Sequence, residues 1–195
     1  MRLFAAVEID DDARRSAVDA SSAIRAILGP HPEVRWVPAE NLHLTVRFIG
    51  HVDEDGVGPL VEKLTEPLSI AAFQVALGSC GAFPRGGNPR VIWIGLRSGL
   101  AELASMHDEF NQRLLPFGFE PELRPFSAHL TLARVKETSR GFGSKIRTSL
   151  QRIDVPRAAF SVSRATIFAS RPSRGGSRYD ALAFAPLSTP PSPHA

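Results

Sequence analysis

Cysteine is almost missing from this chain: Cys80 is the single thiol in 195 residues, so no internal disulfide can form. A fold stapled by cross-links is excluded, and a reducing compartment suits the sequence. Metal signatures are missing too. Neither Cys-x-x-Cys nor His-Glu-x-x-His occurs, so the expectation is no metal and no cofactor. There is no Gly-x-Ser-x-Gly turn of a serine hydrolase, and Gly86 and Gly87 in PRGGNP lack the spacing and the Lys-Ser/Thr ending of a phosphate-cradling loop. No apolar run approaches bilayer-spanning length, and the start, MRLFAAVEID, reaches Glu8 too soon for a signal-peptide core. The expectation is a cytoplasmic monomer with no membrane partner.

What is present is an ordinary globular balance of 43% hydrophobic and 22% charged residues, in a chain long enough to stabilise its own core. Charge is distributed unevenly. Residues 1–133 carry 12 Lys+Arg against 17 Asp+Glu, whereas residues 134–195 carry 11 against 3. Of the 23 basic residues 20 are arginine, whose planar fork pairs with phosphate and stacks on bases, so a polyanionic substrate fits.

Periodicity predicts a strand at 2–9, then a helix from an Asp10–Asp12 cap through Leu28, stopped by Pro30 and Pro32. A strand follows at 42–49, ended by Gly50, and then a helix from Asp53 to about Glu66. Strands are expected at 70–77 and 91–96. Ser98 is expected to cap a helix whose face is Leu100, Leu103, His107, Phe110 and Leu114. A strand at 128–135, a helix near 140–151, and strands around 155–169 and 178–184 complete the pattern. The order strand, helix, strand, helix, strand thus occurs twice, from residue 2 and from residue 91. Two similar lobes related by a pseudo-twofold axis would face each other across one cleft.

Each copy carries the same tetrad: His43-Leu44-Thr45-Val46 and His129-Leu130-Thr131-Leu132. Residues i and i+2 of a strand share a face, so each segment presents an imidazole beside a hydroxyl and turns its aliphatic residues toward the core. Paired histidines suit phosphodiester chemistry, because a neutral imidazole takes a proton from the attacking oxygen while a protonated one gives a proton to the leaving oxygen. Threonine hydroxyls suit the nonbridging oxygens where charge develops. By strand parity Arg47 joins His43 and Thr45 on the cleft wall. Arg134 has the opposite parity to His129 and leaves the cleft unless a bulge intervenes. Phe48, Phe126 and Trp93 are candidates for stacking on a base, with strand aromatics more often core. His31, His51, His107 and His194 stand alone and are read as surface or packing residues.

The segments RLFAAVEI, RWVPAENLHLTVRFIG, PRVIWIGL, RPFSAHLTLARV and IFASRPSRGGSRYDAL occur in this order across nearly the whole chain. They resemble the 2H phosphoesterases, and among these the RNA 2′,3′-cyclic phosphodiesterases, also called 2′-5′ RNA ligases. The resemblance implies an α+β, bilobal, duplicated fold, with two mostly antiparallel sheets and outer helices around a central cleft. It implies one bilobal domain over 1–187, with a disordered tail at 188–195. It further implies His43 as proton donor, His129 as proton acceptor, and Thr45 and Thr131 as phosphate-binding residues. From the residues themselves, Arg47, Arg134, Phe48 and Phe126 stand beside these as candidate substrate contacts, Arg134 ranked below the four motif residues. The partner would be RNA with a 2′,3′-cyclic phosphate terminus, opened without metal to a 2′-phosphomonoester. Two alternatives are the reverse reaction, 2′-5′ RNA end joining, and a non-catalytic RNA-end binding module. Ala128 departs from the proline that often precedes the second histidine, which affects strand entry more than chemistry.

Overall fold

The structure, a computed structural model, describes residues 1–122, 125–136, 139–173 and 176–188. In chain order it comprises β1 (Arg2–Glu8), α1 (Asp11–Leu28), β2 (Val34–Trp36), β3 (His43–His51), α2 (Glu54–Leu64), β4 (Leu68–Ala71) and β5 (Phe73–Phe83). The second half continues with β6 (Val91–Ser98), α3 (Leu100–Leu114), β7 (Leu130–Val135), α4 (Arg140–Leu150), β8 (Ala159–Val162), β9 (Arg164–Ser173) and β10 (Gly176–Ser188). The α+β class and the duplicated order are those expected.

Several local expectations need correction. The strand expected at 70–77 divides between β4 and β5, and β3 runs past Gly50 to His51. Ser98 does not cap α3. It ends β6, and Gly99, at φ 82°, takes the N-cap position in the left-handed conformation open to glycine. Leu100 is 48% exposed, so it leaves the apolar face that Leu103, Met106, His107, Phe110 and Leu114 form. Ser188 belongs to β10, and the rest of the expected tail, 189–195, lies outside the described residues.

The strands form one mixed sheet in the order β4-β10-β9-β1-β3-β7-β6-β5-β8, with β2 added beside β7. The two sheets that the resemblance implies run on as one, their halves joined edge to edge through Leu44 opposite Leu130 in β3 and β7. All the pairings are antiparallel except β10 with β4. The seam therefore sits between the two His-x-Thr strands, which become neighbours across 86 positions of sequence. β1 lies at the centre of the first lobe, and Leu3 through Val7 are all buried, which explains its nearly unbroken apolar run.

The helices cross between lobes. α1 follows β1 but packs on α4 and β8, while α3 follows β6 but packs on α2, β3 and β4. This exchange locks the lobes into one unit. Asp10 starts α1 by accepting from the Ala13 backbone N–H at 2.8 Å, and Asp11 and Asp12 favour the helix dipole. The helix then buries Ala13, Ala17, Ala20, Ile24 and Leu28, small residues first, so its backbone can approach the sheet and α4 closely. Ser139 caps α4 likewise, accepting from Phe142 N. Among the described residues no helix is long and apolar enough to cross a membrane.

Candidate active site

His43 opens β3 and His129 immediately precedes β7 at the seam, and both line one cavity of about 570 Å³ together with Thr45, Thr131 and Arg134. The histidines are held in the same way. Nδ1 of His43 lies 2.8 Å from the Asn41 carbonyl, and Nδ1 of His129 lies 2.7 Å from the Ser127 carbonyl, in each case two residues upstream. A carbonyl only accepts, so each Nδ1 carries the hydrogen and each Nε2 is left to face the cavity. Asn41 is fixed in turn, its side-chain amide donating to the Ser177 carbonyl at 2.8 Å. This ties the loop before His43 to the start of β10.

Thr45 Oγ1 lies 2.9 Å from Nε2 of His43 and donates to it while the imidazole is neutral. Protonation of Nε2 reverses that bond and frees the threonine hydrogen for another acceptor in the cavity. Burial pushes the His43 pKa below the ordinary histidine value. Its bond to Asn41 works against this, and the charges of Arg134 and His129 lower it further. Burial also lowers the His129 pKa, against the raising effect of its bond to Ser127, with Arg134 adding to the depression. Aromatic rings brace both imidazoles. His43 lies against Phe4 and meets Tyr179 edge-on at 5.3 Å, and His129 meets Phe83 edge-on at 5.1 Å.

Simple alternation fails one residue after each tetrad. Ala6 pairs with Thr45 but Ala5 pairs with Arg47, which leaves Val46 extra. Trp93 pairs with Thr131 but Ile92 pairs with Ala133, which leaves Leu132 extra. Each strand thus carries a bulge at the equivalent position, and two successive residues turn to the core: Val46 with Arg47, and Leu132 with Ala133. The parity reading of the two arginines is therefore reversed. Arg47 is 8% exposed and off the cleft; its guanidinium donates to the Phe48 carbonyl at 2.7 Å and to the Glu120 carbonyl at 2.6 Å, beside Glu122. Arg134 emerges into the cavity, and Phe48, its counterpart five positions after His43, is 53% exposed at the cavity wall.

Phe126 is not brought to the cavity. It stacks on His107 at 4.7 Å, and that histidine is buried against Asn111 on α3. His31 stacks on Phe142, and His51 sits beside Asp53, both away from the cavity; His194 lies outside the described residues. Residues that sequence reasoning missed are Asn41, Tyr179 and Phe4, each at the His43 side. Their signal is weak: Tyr179 is the chain's one tyrosine, and Asn41 precedes the first tetrad by two residues. Among the described residues no three His, Cys, Asp or Glu side chains are placed to hold a metal ion.

One cavity is thus walled by the two His-x-Thr segments, one from each half of the duplicated order. The chain belongs to the LigT like Phosphoesterase family, whose profile matches residues 11–93 and again 94–179, one match per repeat. The chain is 36% identical to an RNA 2′,3′-cyclic phosphodiesterase of Archaeoglobus fulgidus over 70% of its own length and 73% of that protein. It is 29% identical to a protein of the same name from Thermotoga maritima over 93% of each. Its fold superposes on Escherichia coli LigT complexed with 3′-AMP with a TM-score of 0.71 at 26% identity, covering 96% of this chain and 98% of the other.

Proposed function

We propose that this protein hydrolyses RNA 2′,3′-cyclic phosphodiester ends to 2′-phosphomonoesters, by acid–base catalysis between His43 and His129 and without a metal. The observation that carries the reading is the matched pair of imidazoles, each fixed through Nδ1 to a carbonyl and each presenting Nε2 to one cavity. With a cyclic phosphate between them, His129 takes the proton of the attacking water through its neutral Nε2. A protonated His43 gives its proton to the departing 3′ oxygen. Thr45, released from Nε2, and Thr131 donate to the nonbridging oxygens, and Arg134 supplies a fixed positive charge where the phosphorane gathers negative charge. Phe48, exposed despite its size, offers a face to the terminal base.

Arg134 favours the neutral form of both histidines, and a bound phosphate anion reverses the balance for the donor by favouring its charged form. The relatives' names and the basic carboxy-terminal third support RNA as the substrate. A cytoplasmic setting agrees with the chain's single thiol, which burial pushes up to about 11 and so keeps protonated and unreactive. The deciding experiment incubates the protein, with a chelator present, with an oligonucleotide ending in a 2′,3′-cyclic phosphate and follows its phosphorus signals. Accumulation of the 2′-phosphate is expected. An unchanged cyclic end, a 3′-phosphate product, or activity that returns only with added metal refutes the reading.

A further inference from the structure

Two arginines stand directly opposite each other where β2 joins β7. The register runs Val34 to Val135, Arg35 to Arg134 and Trp36 to Ala133 without a shift, so Arg35 and Arg134 share one face of the sheet. Their neighbours fix which face it is. Val34 and Trp36 pack against the core, Val135 and Ala133 are part of it, and Arg25 of α1 lies over the Trp36 ring at 4.8 Å. Those residues face the helices. Arg134 emerges on the other side, into the cavity of the two histidines, and Arg35 therefore points to that side too, just beyond the cavity lining.

Like charges set directly opposite on neighbouring strands are destabilising. One step further out the Lys136 N–H donates to the Glu33 carbonyl at 2.9 Å, and there the same ladder sets an acid opposite a base. Arg35 and Arg134 have no such relief. Both are exposed, and among the described residues neither makes an ion pair or a side-chain hydrogen bond. Two guanidinium forks one strand apart, neither neutralised by the protein, suit two anionic groups of one ligand better than a single one. The proposed hydrolysis uses only Arg134.

We propose that Arg35 receives the phosphodiester on the 5′ side of the terminal nucleoside, so that the enzyme selects the end of a strand over a lone cyclic nucleotide. This placement rests on the cyclic-end reading, with the terminal base at Phe48. β3 and β7 run antiparallel from Leu44 and Leu130, so Phe48 and Arg134, each five positions past its histidine, lie toward opposite ends of the cavity. On a ribose ring the base hangs from C1′, next to the carbon of the 2′ oxygen, and the 5′ carbon hangs from C4′, next to the carbon of the 3′ oxygen. With the cyclic phosphate between the histidines, a base directed at Phe48 turns the 5′ carbon toward Arg134 and Arg35. The reacting phosphate takes the first fork, and the phosphate one nucleotide back takes the second. The other course for the strand is past Arg2, which lines the Phe48 end of the cavity and pairs with His51 there.

The test titrates the full-length protein calorimetrically with two ligands: a nucleoside 2′-phosphate, and a dinucleotide with the same terminal 2′-phosphate and one phosphodiester on its 5′ side. The dinucleotide should bind more tightly, and its affinity should fall more steeply with salt, by about 0.7 in the logarithmic slope for one added phosphate contact. Arg35→Glu should weaken the dinucleotide by about tenfold or more relative to the nucleoside phosphate, because a charge-assisted contact is replaced by repulsion. In turnover, kcat/KM for the matching 2′,3′-cyclic substrates should lose the same preference. Equal affinities and salt slopes for the two ligands, an equal loss of both in Arg35→Glu, or a preference removed by Arg2→Gln instead would overturn the assignment. If Arg35→Glu does not fold, Arg35→Gln and the salt slopes of the unaltered protein decide it. Failure to hydrolyse either cyclic substrate refutes the catalytic reading alone, because the titrations need no turnover.

Discussion

Replacing Arg134 with glutamine separates the bulged strand from the regular one. In a regular strand Arg134 faces away from His129, and its loss would leave catalysis alone. With Leu132 extra in the β6–β7 pairing, the guanidinium stands in the cavity of both histidines and depresses both of their pKa values. A cation about 5 Å from the reacting phosphoryl group, at an effective dielectric constant near 20, interacts with a unit charge by roughly 3 kcal/mol. Glutamine keeps a hydrogen-bond donor but loses the charge. A loss of about 1.5–3 kcal/mol is therefore expected, or roughly a tenfold to 150-fold fall in kcat/KM. The pH dependence moves as well: Arg134 favours the neutral imidazoles, so its removal raises both pKa values and shifts the optimum upward. Steady-state kinetics on a cyclic nucleotide from pH 4.5 to 8.5 reads both effects. Unchanged kcat/KM with an unmoved optimum would refute the bulge argument and return Arg134 to the outer face.

Arg47→Met is expected to act on stability instead, because it strips the Phe48 and Glu120 carbonyls of a buried donor. Urea unfolding should report a loss of about 1–3 kcal/mol, and near-native stability would contradict its structural assignment. For the unaltered protein, kcat/KM should follow a bell with its maximum below about pH 6.5, since both imidazoles titrate below the ordinary histidine value and the optimum lies between them. A maximum above neutrality would count against the depressed pair. Thr45→Val and Thr131→Val should each lower kcat by roughly tenfold to a thousandfold, and kinetics that stay at the level of the unaltered protein would reassign the hydroxyls to structure.

Most elements that position the site are legible in the sequence because their signals are local. The apolar run of β1, the Asp10 cap and the repeated His-x-Thr alternation each require only a few neighbouring residues. The bulges are legible in only one strand. Leu132-Ala133 is an apolar doublet that interrupts the alternation and signals a change of face, whereas in Val46-Arg47 the second member is an arginine, which alternation assigns to solvent. Nothing near Arg47 in sequence reveals that the Glu120 carbonyl, 73 positions away, satisfies its guanidinium. The single seam of Leu44 and Leu130, the exchange of α1 and α3 between lobes, and the approach of Tyr179 to His43 depend likewise on long-range packing. Two glycines carry no local signal for a related reason. Gly81 and Gly95 sit inside strands where the residue usually weakens pairing, and their role becomes visible only with the Trp93 ring across them.

Whether His43 and His129 act as one proton-transfer unit is tested most directly by a double-mutant comparison. His43→Ala and His129→Ala should each remove most turnover of a 2′,3′-cyclic-phosphate oligonucleotide while circular dichroism stays native. The double variant should be little slower than either single one, because once one partner is gone the other has no coupled transfer left to support. If either single variant keeps a near-native rate, or if the two losses multiply in the double variant, the paired-histidine account is wrong.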